Sequence, residues 1–447
     1  MAKDRSLFVC QQCGNESAKW LGRCPDCGEW NSFVETTRFA PEKGAKGIVH
    51  SETLKPQKLN AVKIKKLERT TTNISELDRV LGGGLVPGQV VLLAGEPGIG
   101  KSTILLQVAE KLRNVLYVSG EESVNQIKLR ADRLGVKADE ILLLDSTDTD
   151  SIVFTLEQLA ETNNLPDLVI IDSIQTMATS ALSGMAGSVG QVKESASRFV
   201  KLAKRHHVPI ILVGQVTKEG SVAGPAALMH IVDTVLWFEG EKTTFLRLVR
   251  AVKNRFGPTD EIGIFQMLQD GLNPIDNTSE LFVTKQEKPV SGSAVACVME
   301  GTRPLLVEIQ SLVVPTRLAI PRRVAQGIDS RRLELIQAVL TRRSGLNVTD
   351  SDIFVKVVGG IQIKEPGADL AVALSIASAF TDTPLAQDVV AMGEVGLLGE
   401  IRSVVGESER IKYAKRNGFK QIYSGTTHSR LSDVLTKLST KYGSSKK

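Results

Sequence analysis

The segment Gly95-Glu96-Pro97-Gly98-Ile99-Gly100-Lys101-Ser102 constrains this chain more than any other. It meets every required position of the phosphate-binding pattern G-x-x-x-x-G-K-[ST]. Glycines let backbone N–H groups turn inward and cradle phosphate oxygens. The lysine can then reach the β/γ-phosphates, and the hydroxyl after it can ligate Mg2+. The flanks suit such a loop. Val90–Ala94 reads as a buried strand, and Thr103–Leu112 as a helix without Pro or Gly. An ATP site built on residues 95–103, Gly95 through Ser102 and Thr103, is therefore predicted, with Lys101 and Ser102 carrying its chemistry.

Length and composition bound the rest. A chain of 447 residues accommodates two or three domains. A net charge of +5 permits contact with nucleic acid without demanding it. Aromatic residues make up 4%, too few for a large base-stacking surface. No run of 18 apolar residues is present, so no transmembrane helix and no membrane partner are expected. Cysteines, not an apolar signal region, follow Met1-Ala2-Lys3-Asp4-Arg5, which predicts a cytoplasmic protein.

Four of the five cysteines, Cys10, Cys13, Cys24 and Cys27, form a C-x2-C-x10-C-x2-C pattern. Two knuckles that each aim two thiolates at one ion give the closed tetrahedral shell of structural Zn2+. Gly14 and Gly28 follow the second cysteine of each pair, where the turn needs backbone freedom. Two disulfides are the alternative, a poor one in a reducing cytosol. Cys297, alone in an apolar run, reads as a core thiol.

These features divide the chain into a zinc ribbon over 1–34, a basic linker over 35–66, an α/β ATPase domain over 67–270 and a second α/β domain over 271–447. The linker carries Lys43, Lys46, Lys55, Lys58, Lys63, Lys65 and Lys66 with little apolar periodicity. A solvated tether is the plain reading, phosphate contact the sharper one. Strands are predicted at Val90–Ala94, Val115–Ser119, Ile141–Leu144, Leu168–Ile171, Ile210–Val213, Val235–Phe238 and Phe245–Val249, in a largely parallel sheet. The last domain should hold helices at Leu333–Thr341 and Asp369–Ala379.

Around the phosphate loop, several strand ends carry chemistry. Leu168-Val169-Ile170-Ile171 runs into Asp172, placed to hold the Mg2+ shell from a neighbouring strand. A strand-end Asp that merely caps a turn is the bland alternative. Val118-Ser119-Gly120 runs into Glu121 and Glu122; one of these acids, Glu121 for preference, can face the γ-phosphate and activate water. Gln215 closes Ile210-Ile211-Leu212-Val213-Gly214 and can sense the γ-phosphate, passing the signal to the Gly-rich stretch Thr217–Pro225. Lys253 and Arg255, in Lys253-Asn254-Arg255-Phe256-Gly257, follow a strand at the end of the domain. Read from the residues alone they are surface charge as readily as cations for a neighbouring subunit's nucleotide.

Taken together, the four-cysteine ribbon, Gly95–Ser102, Lys253–Gly257 and the segment Gly393-Glu394-Val395-Gly396-Leu397-Leu398-Gly399-Glu400-Ile401-Arg402 resemble the bacterial RadA (Sms) family along essentially the whole chain. The resemblance implies a RecA-like ATPase core in a homo-oligomeric ring, expected to be a hexamer, with ATP between subunits. It implies DNA-dependent ATP hydrolysis and movement on single-stranded and branched DNA beside the RecA recombinase, extending strand-exchange joints and processing stalled forks. By position, Lys101, Ser102 and Asp172 fall on the nucleotide and metal residues, Glu121 on the catalytic carboxylate and Gln215 on the γ-phosphate sensor. Lys253 and Arg255 fall on cations that act across the subunit interface.

The last domain resembles the proteolytic domain of Lon, which needs a serine nucleophile and a lysine. Here Ala368 stands at or beside the serine position and Ser408 at the lysine position. Covalent catalysis fails without the pair, so a non-proteolytic ring scaffold is expected. Arg317, Arg322, Arg323, Arg331, Arg332, Arg342 and Arg343 crowd one span, with Asp329 and Glu334 as its acids. They suit backbone contacts to DNA or, more plainly, solvated helix faces and inter-subunit salt bridges. An ATP-dependent protease and a KaiC-like autokinase remain the competing classes. The missing pair argues against the first and the ribbon against the second.

Overall fold

The computed structural model describes residues 5–10, 15–38, 68–137, 139–216, 227–240, 245–275, 282–284, 288–318 and 320–442. Cys13, nearly all of the basic linker and the Thr217–Pro225 stretch lie outside the described residues. The chain divides into two compact units, Met1–Pro274 and Ile275–Lys447.

At the amino end, β1 (Arg5–Cys10) lies between β2 (Glu16–Ser17) and β3 (Phe33–Arg38), antiparallel to both. The ribbon buries Cys10, Cys24 and Phe33, with Phe8 packed alongside. Among the described residues, so few buried side chains offset little of the entropy of ordering the segment.

The ATPase sheet has nine strands: β4 (Val90–Gly95), β5 (Val115–Ser119), β6 (Ile141–Asp145), β7 (Leu168–Asp172), β8 (Ile210–Gln215), β9 (Thr234–Glu239), β10 (Leu246–Asn254), β11 (Ile262–Leu268) and β12 (Gly271–Pro274). Their order is β12-β11-β10-β9-β4-β8-β7-β5-β6. The six strands from β9 to β6 run parallel. All six residues of β4 are buried, as expected of a central strand covered on both faces. One face packs against Ile104, Leu105 and Val108 of the helix Lys101–Lys111. The other packs against Val192, Ala196, Phe199 and Ala203 of the helix Val189–His206. Those four recur at helical spacing, one apolar stripe on an otherwise polar helix. The helix stops where His207 turns left-handed at φ 56°, two residues before Pro209.

Two expectations need correction at the antiparallel end. The strand expected to stop at Val249 continues to Asn254, through a register shift between Ala251 and Lys253. Lys253 therefore lies within the strand rather than after it. The ATPase unit does not end at residue 270 either. β11 pairs with β10, and Gly271–Pro274 pairs with β11 as an edge strand. The Gly-Leu-Asn-Pro sequence reads as a turn; pairing with an existing sheet edge overrides that local signal.

The second unit is built on a six-stranded sheet ordered β15-β16-β14-β13-β17-β20. These are β13 (Ser293–Glu300), β14 (Arg303–Pro315), β15 (Arg323–Gln326), β16 (Ser351–Val357), β17 (Val389–Ala391) and β20 (Gln421–Tyr423); β18 (Glu394–Val395) and β19 (Ile401–Arg402) form a separate hairpin. The helix Asp369–Thr381 is buried from Asp369 to Ser378 and lies against this sheet. The helix Ser330–Arg343 begins at Asp329, whose carboxylate accepts the backbone N–H of Arg331. Among the described residues no helix is long and apolar enough to cross a membrane.

Candidate functional site

The phosphate loop leaves the carboxyl end of β4 and turns into the helix that begins at Lys101. Its glycines answer to local constraints. A Cβ on Gly95 would lie 2.6 Å from the Phe238 carbonyl oxygen of β9. Gly98 and Gly100 hold φ of 75° and 120°, values side chains oppose. Lys101 is buried, and its ammonium donates to the carbonyls of Gly95 and Glu96, each at 2.9 Å. Burial lowers its pKa, while the charges of Asp172 and Glu121 act in the opposite direction. A cation is thus held on the loop's own backbone, at the place where phosphate oxygens would arrive.

Asp172, Glu121 and Gln215 end β7, follow β5 and end β8, so the parallel sheet brings all three to the edge that carries the loop. The Tyr117 hydroxyl donates to Asp172 Oδ2 at 2.5 Å. Burial, then the Asp172 charge, push the phenol well above its ordinary pKa, so it stays a donor. Gln215 Nε2 reaches both Glu121 oxygens, at 2.8 and 2.9 Å, and the Ser173 hydroxyl donates to the same carboxylate. Gln175 Nε2 in turn donates to the Gln215 carbonyl at 3.1 Å. Glu122 is engaged elsewhere, paired with Arg130 beside the capped start of the helix Val124–Arg133. Of the two candidate acids, Glu121 is the one in the cluster. Gly120, directly before them, packs against the turn after β7, where a Cβ would come within 2.2 Å of Thr176 Oγ1.

Lys253 and Arg255 are not in this cluster. Asn254 pairs with Thr234, and Thr234 pairs with Val91, at the start of β4. Gly95 is four residues further on, about 13 Å at strand rise. Both cations therefore sit at the opposite edge of the sheet from their own chain's phosphate loop. Lys253 donates to the carbonyls of Met229 and Val232 at 2.7 and 2.8 Å. Arg255, more than half exposed, lies 3.4 Å from the buried Asp233 carboxylate. That carboxylate also takes Lys204 at 2.5 Å and the Val90 N–H at 3.0 Å.

In the ribbon, the sulfurs of Cys10, Cys24 and Cys27 lie within 4.8 Å of one another, and Cys10 Sγ is 3.6 Å from Cys27 Sγ. Four thiolates on one tetrahedral Zn2+ stand about 3.8 Å apart, so these three donors fit such a shell. Gly28 takes φ of 75° directly after Cys27. Chelation of the metal is expected to unfold the ribbon and to leave the ATPase unit's thermal midpoint within about 2 °C. Tryptophan fluorescence reads the first change, since Trp20 and Trp30 both lie in the ribbon, and calorimetry the second.

Family models match three separate stretches of the chain. The rubredoxin metal binding domain family matches residues 8–35, the AAA domain family residues 53–221, and the family of subunit ChlI of Mg-chelatase residues 320–426. DNA repair protein RadA of Bacillus subtilis is 47% identical over 429 residues, 94% of this chain and 93% of that protein. DNA repair protein RadA of Streptococcus pyogenes serotype M6 is 47% identical over 427 residues, covering 95% of this chain and 93% of its own. That of Listeria monocytogenes is 46% identical over 428 residues, covering 94% and 92%.

The chain belongs to the RadA family. Its cysteine cluster is that of a zinc ribbon, its core is RecA-like and its last unit Lon-like. In this RadA-family chain the two residues expected at the Lon-type serine and lysine positions are held differently. Ala368 is buried just before the helix Asp369–Thr381. Ser408 lies exposed on the helix Glu407–Arg416, bonded to its neighbour Glu409. Between these stretches the fully buried Arg410 holds Glu365 at 2.6 and 2.5 Å and donates to the Cys297 carbonyl at 2.8 Å. A paired buried cation supports the fold and offers no nucleophile. Two of the seven crowded arginines are structural: Arg323 bonds Gln337 and the Ser351 carbonyl, and Arg332 bonds Asp369. Arg317, Arg322, Arg331, Arg342 and Arg343 are exposed.

Sequence reading missed Tyr117, Ser173 and Asp233. The signals were a lone hydroxyl in the apolar run Val115–Val118, a serine directly after Asp172, and an acid opening the strand Thr234–Glu239.

Proposed function

We propose that the chain is a DNA-dependent ATPase of recombinational repair, assembled as a ring that moves on single-stranded and branched DNA beside a RecA-type recombinase. The observation that carries the reading is the split of the nucleotide machinery between the two edges of one sheet. Lys101, Ser102, Asp172, Glu121 and Gln215 gather at one edge, while Lys253 and Arg255 stand at the other. A single chain so built brings Lys101 to its own phosphates; a second copy presenting its opposite edge supplies a further cation for the transition state.

In this reading the loop's N–H groups and Lys101 bind the phosphates, with Gly95 through Thr103 forming the cradle. Ser102 and Asp172 would hold Mg2+, which would neutralise phosphate charge there. Glu121 accepts a proton from the attacking water. Gln215 bonds that same carboxylate, so a change at the γ-phosphate reaches β8 and the stretch after it. Arg255, loosely held at 3.4 Å, is the mobile cation, while Lys253 is tied to two carbonyls and orients the strand that carries it. Zn2+ held by Cys10, Cys13, Cys24 and Cys27 makes the ribbon a rigid module for a partner. The exposed arginines of the second unit contact DNA phosphates without reading sequence.

Joint-molecule extension tests the repair role. With a RecA-type recombinase, homologous single strands and ATP, the protein should lengthen strand-exchange joints. Joints of unchanged length despite active ATP hydrolysis would remove that role.

A further inference from the structure

We infer that Tyr117 is a positioning residue for the Mg2+-holding carboxylate, fixing Asp172 from the neighbouring strand. The inference rests on the reading of Asp172 given above. Tyr117 pairs with Ile170 on β7, two residues before Asp172. Side chains two apart share a face of the strand, about 6.6 Å apart along it. A tyrosine is long enough to cover that offset, and its hydroxyl ends 2.5 Å from Asp172 Oδ2. A serine or threonine at this position would fall short.

The phenol is not there for packing alone. Its ring lies in the core cluster with Ile104, Leu105 and Ile170, beneath the phosphate-loop helix, and is 2% exposed. A phenylalanine would fill that space equally well. The hydroxyl adds a polar group to an apolar floor, and burying one is costly unless it is bonded. Asp172 accepts the bond it donates, and the Ser102 side chain is its second polar partner. Among the described residues no other side chain donates to that carboxylate in a hydrogen bond.

The arrangement is reciprocal. A hydroxyl of β5 holds the carboxylate of β7, and the Ser173 hydroxyl after β7 holds the Glu121 carboxylate after β5. The Gly120 N–H donates to the Asp172 carbonyl at 2.9 Å and locks the two strand ends level. Two like charges on adjacent strand ends would otherwise splay or rotate. Each is instead anchored by a donor from the other's strand, which leaves Asp172 one oxygen taken and one to offer. Outer partners of this kind orient metal-holding carboxylates, and their removal commonly weakens metal binding tenfold or more.

The test is calorimetric titration of full-length protein with ADP, in EDTA and at graded Mg2+, for wild type, Tyr117→Phe, Asp172→Asn and the double variant. Tyr117→Phe should weaken the Mg2+-dependent gain in affinity about tenfold. Affinity in EDTA should change by less than about twofold. The double variant should match Asp172→Asn. Wild-type Mg2+ dependence in Tyr117→Phe, with its loss in Asp172→Asn, would overturn the inference and spare Asp172. Full Mg2+ dependence in Asp172→Asn would overturn the premise and the inference together. If Tyr117→Phe does not fold, fluorotyrosine labelling provides a second route, because Tyr117 is the one tyrosine before residue 275. Its fluorine resonance in the ADP complex should shift on adding Mg2+, and a resonance indifferent to Mg2+ would equally overturn the inference.

Discussion

Lys101→Ala should abolish ATP turnover, with hydrolysis falling by about 10²-fold or more and nucleotide affinity falling with it. Three consequences of one geometry act together. The ammonium is buried at the mouth of the loop and anchored on the Gly95 and Glu96 carbonyls. It therefore arrives at the phosphates without a further ordering cost. It also balances Asp172 and Glu121, whose charges favour its protonated form. Without it, Asp172 and Glu121 lose the cation that balances them as phosphates arrive. The fold should survive, because the loop's shape is set by its glycines and by β4 and not by the lysine. Equilibrium binding of a fluorescent ATP analogue and a phosphate-release assay measure the two losses, and a thermal scan checks the fold. Turnover above about a tenth of wild type would be incompatible with Lys101 as the phosphate cation.

Arg255→Ala should separate binding from chemistry. ATP affinity should stay within about threefold of wild type, while hydrolysis falls by about 10³-fold, the scale of a transition-state arginine. The separation follows from position. Arg255 lies at the far edge of the sheet from its own phosphate loop, so it cannot stabilise nucleotide bound by its own chain. Its loss leaves Asp233 paired with Lys204 and with the Val90 N–H, so the buried carboxylate keeps its partners and the sheet its start. Mixing provides a sharper readout. Lys101→Ala and Arg255→Ala proteins, each inactive, should regain part of the activity when co-assembled, because intact loops then face intact arginines. Equal loss of binding and turnover in Arg255→Ala, or no recovery on mixing, would rule out a role across the interface.

How much of this was legible in the sequence depends on the kind of signal. The phosphate loop is a backbone motif with obligatory residues, so its place after a buried strand could be read directly. Val115–Ser119 matches the observed strand end for end, since an apolar run bounded by Asn114 and Gly120 leaves little freedom. The antiparallel edge was read less well. Lys253 lies in a strand whose continuation depends on pairing with β9 through a register shift, a tertiary effect with no local mark. Cross-strand contacts were invisible for the same reason. Tyr117 reads as one more β-former until Asp172 is placed beside it. Glu121 and Glu122 are equivalent in sequence, and Arg130, on the helix that follows directly, engages Glu122 away from the cluster. The crowded arginines looked uniform, yet Arg323 and Arg332 serve the fold and five others face solvent.

ATP hydrolysis by this chain should be coupled to DNA. Steady-state phosphate release, with and without single-stranded DNA, measures that coupling directly, with Lys101→Ala as the control for contaminating activity. A slow basal rate should rise several-fold on adding single-stranded DNA and vanish in Lys101→Ala. The same robust turnover with and without DNA, lost in Lys101→Ala, would contradict that coupling and would point to an ATPase driven by a protein partner or by phosphate transfer to itself.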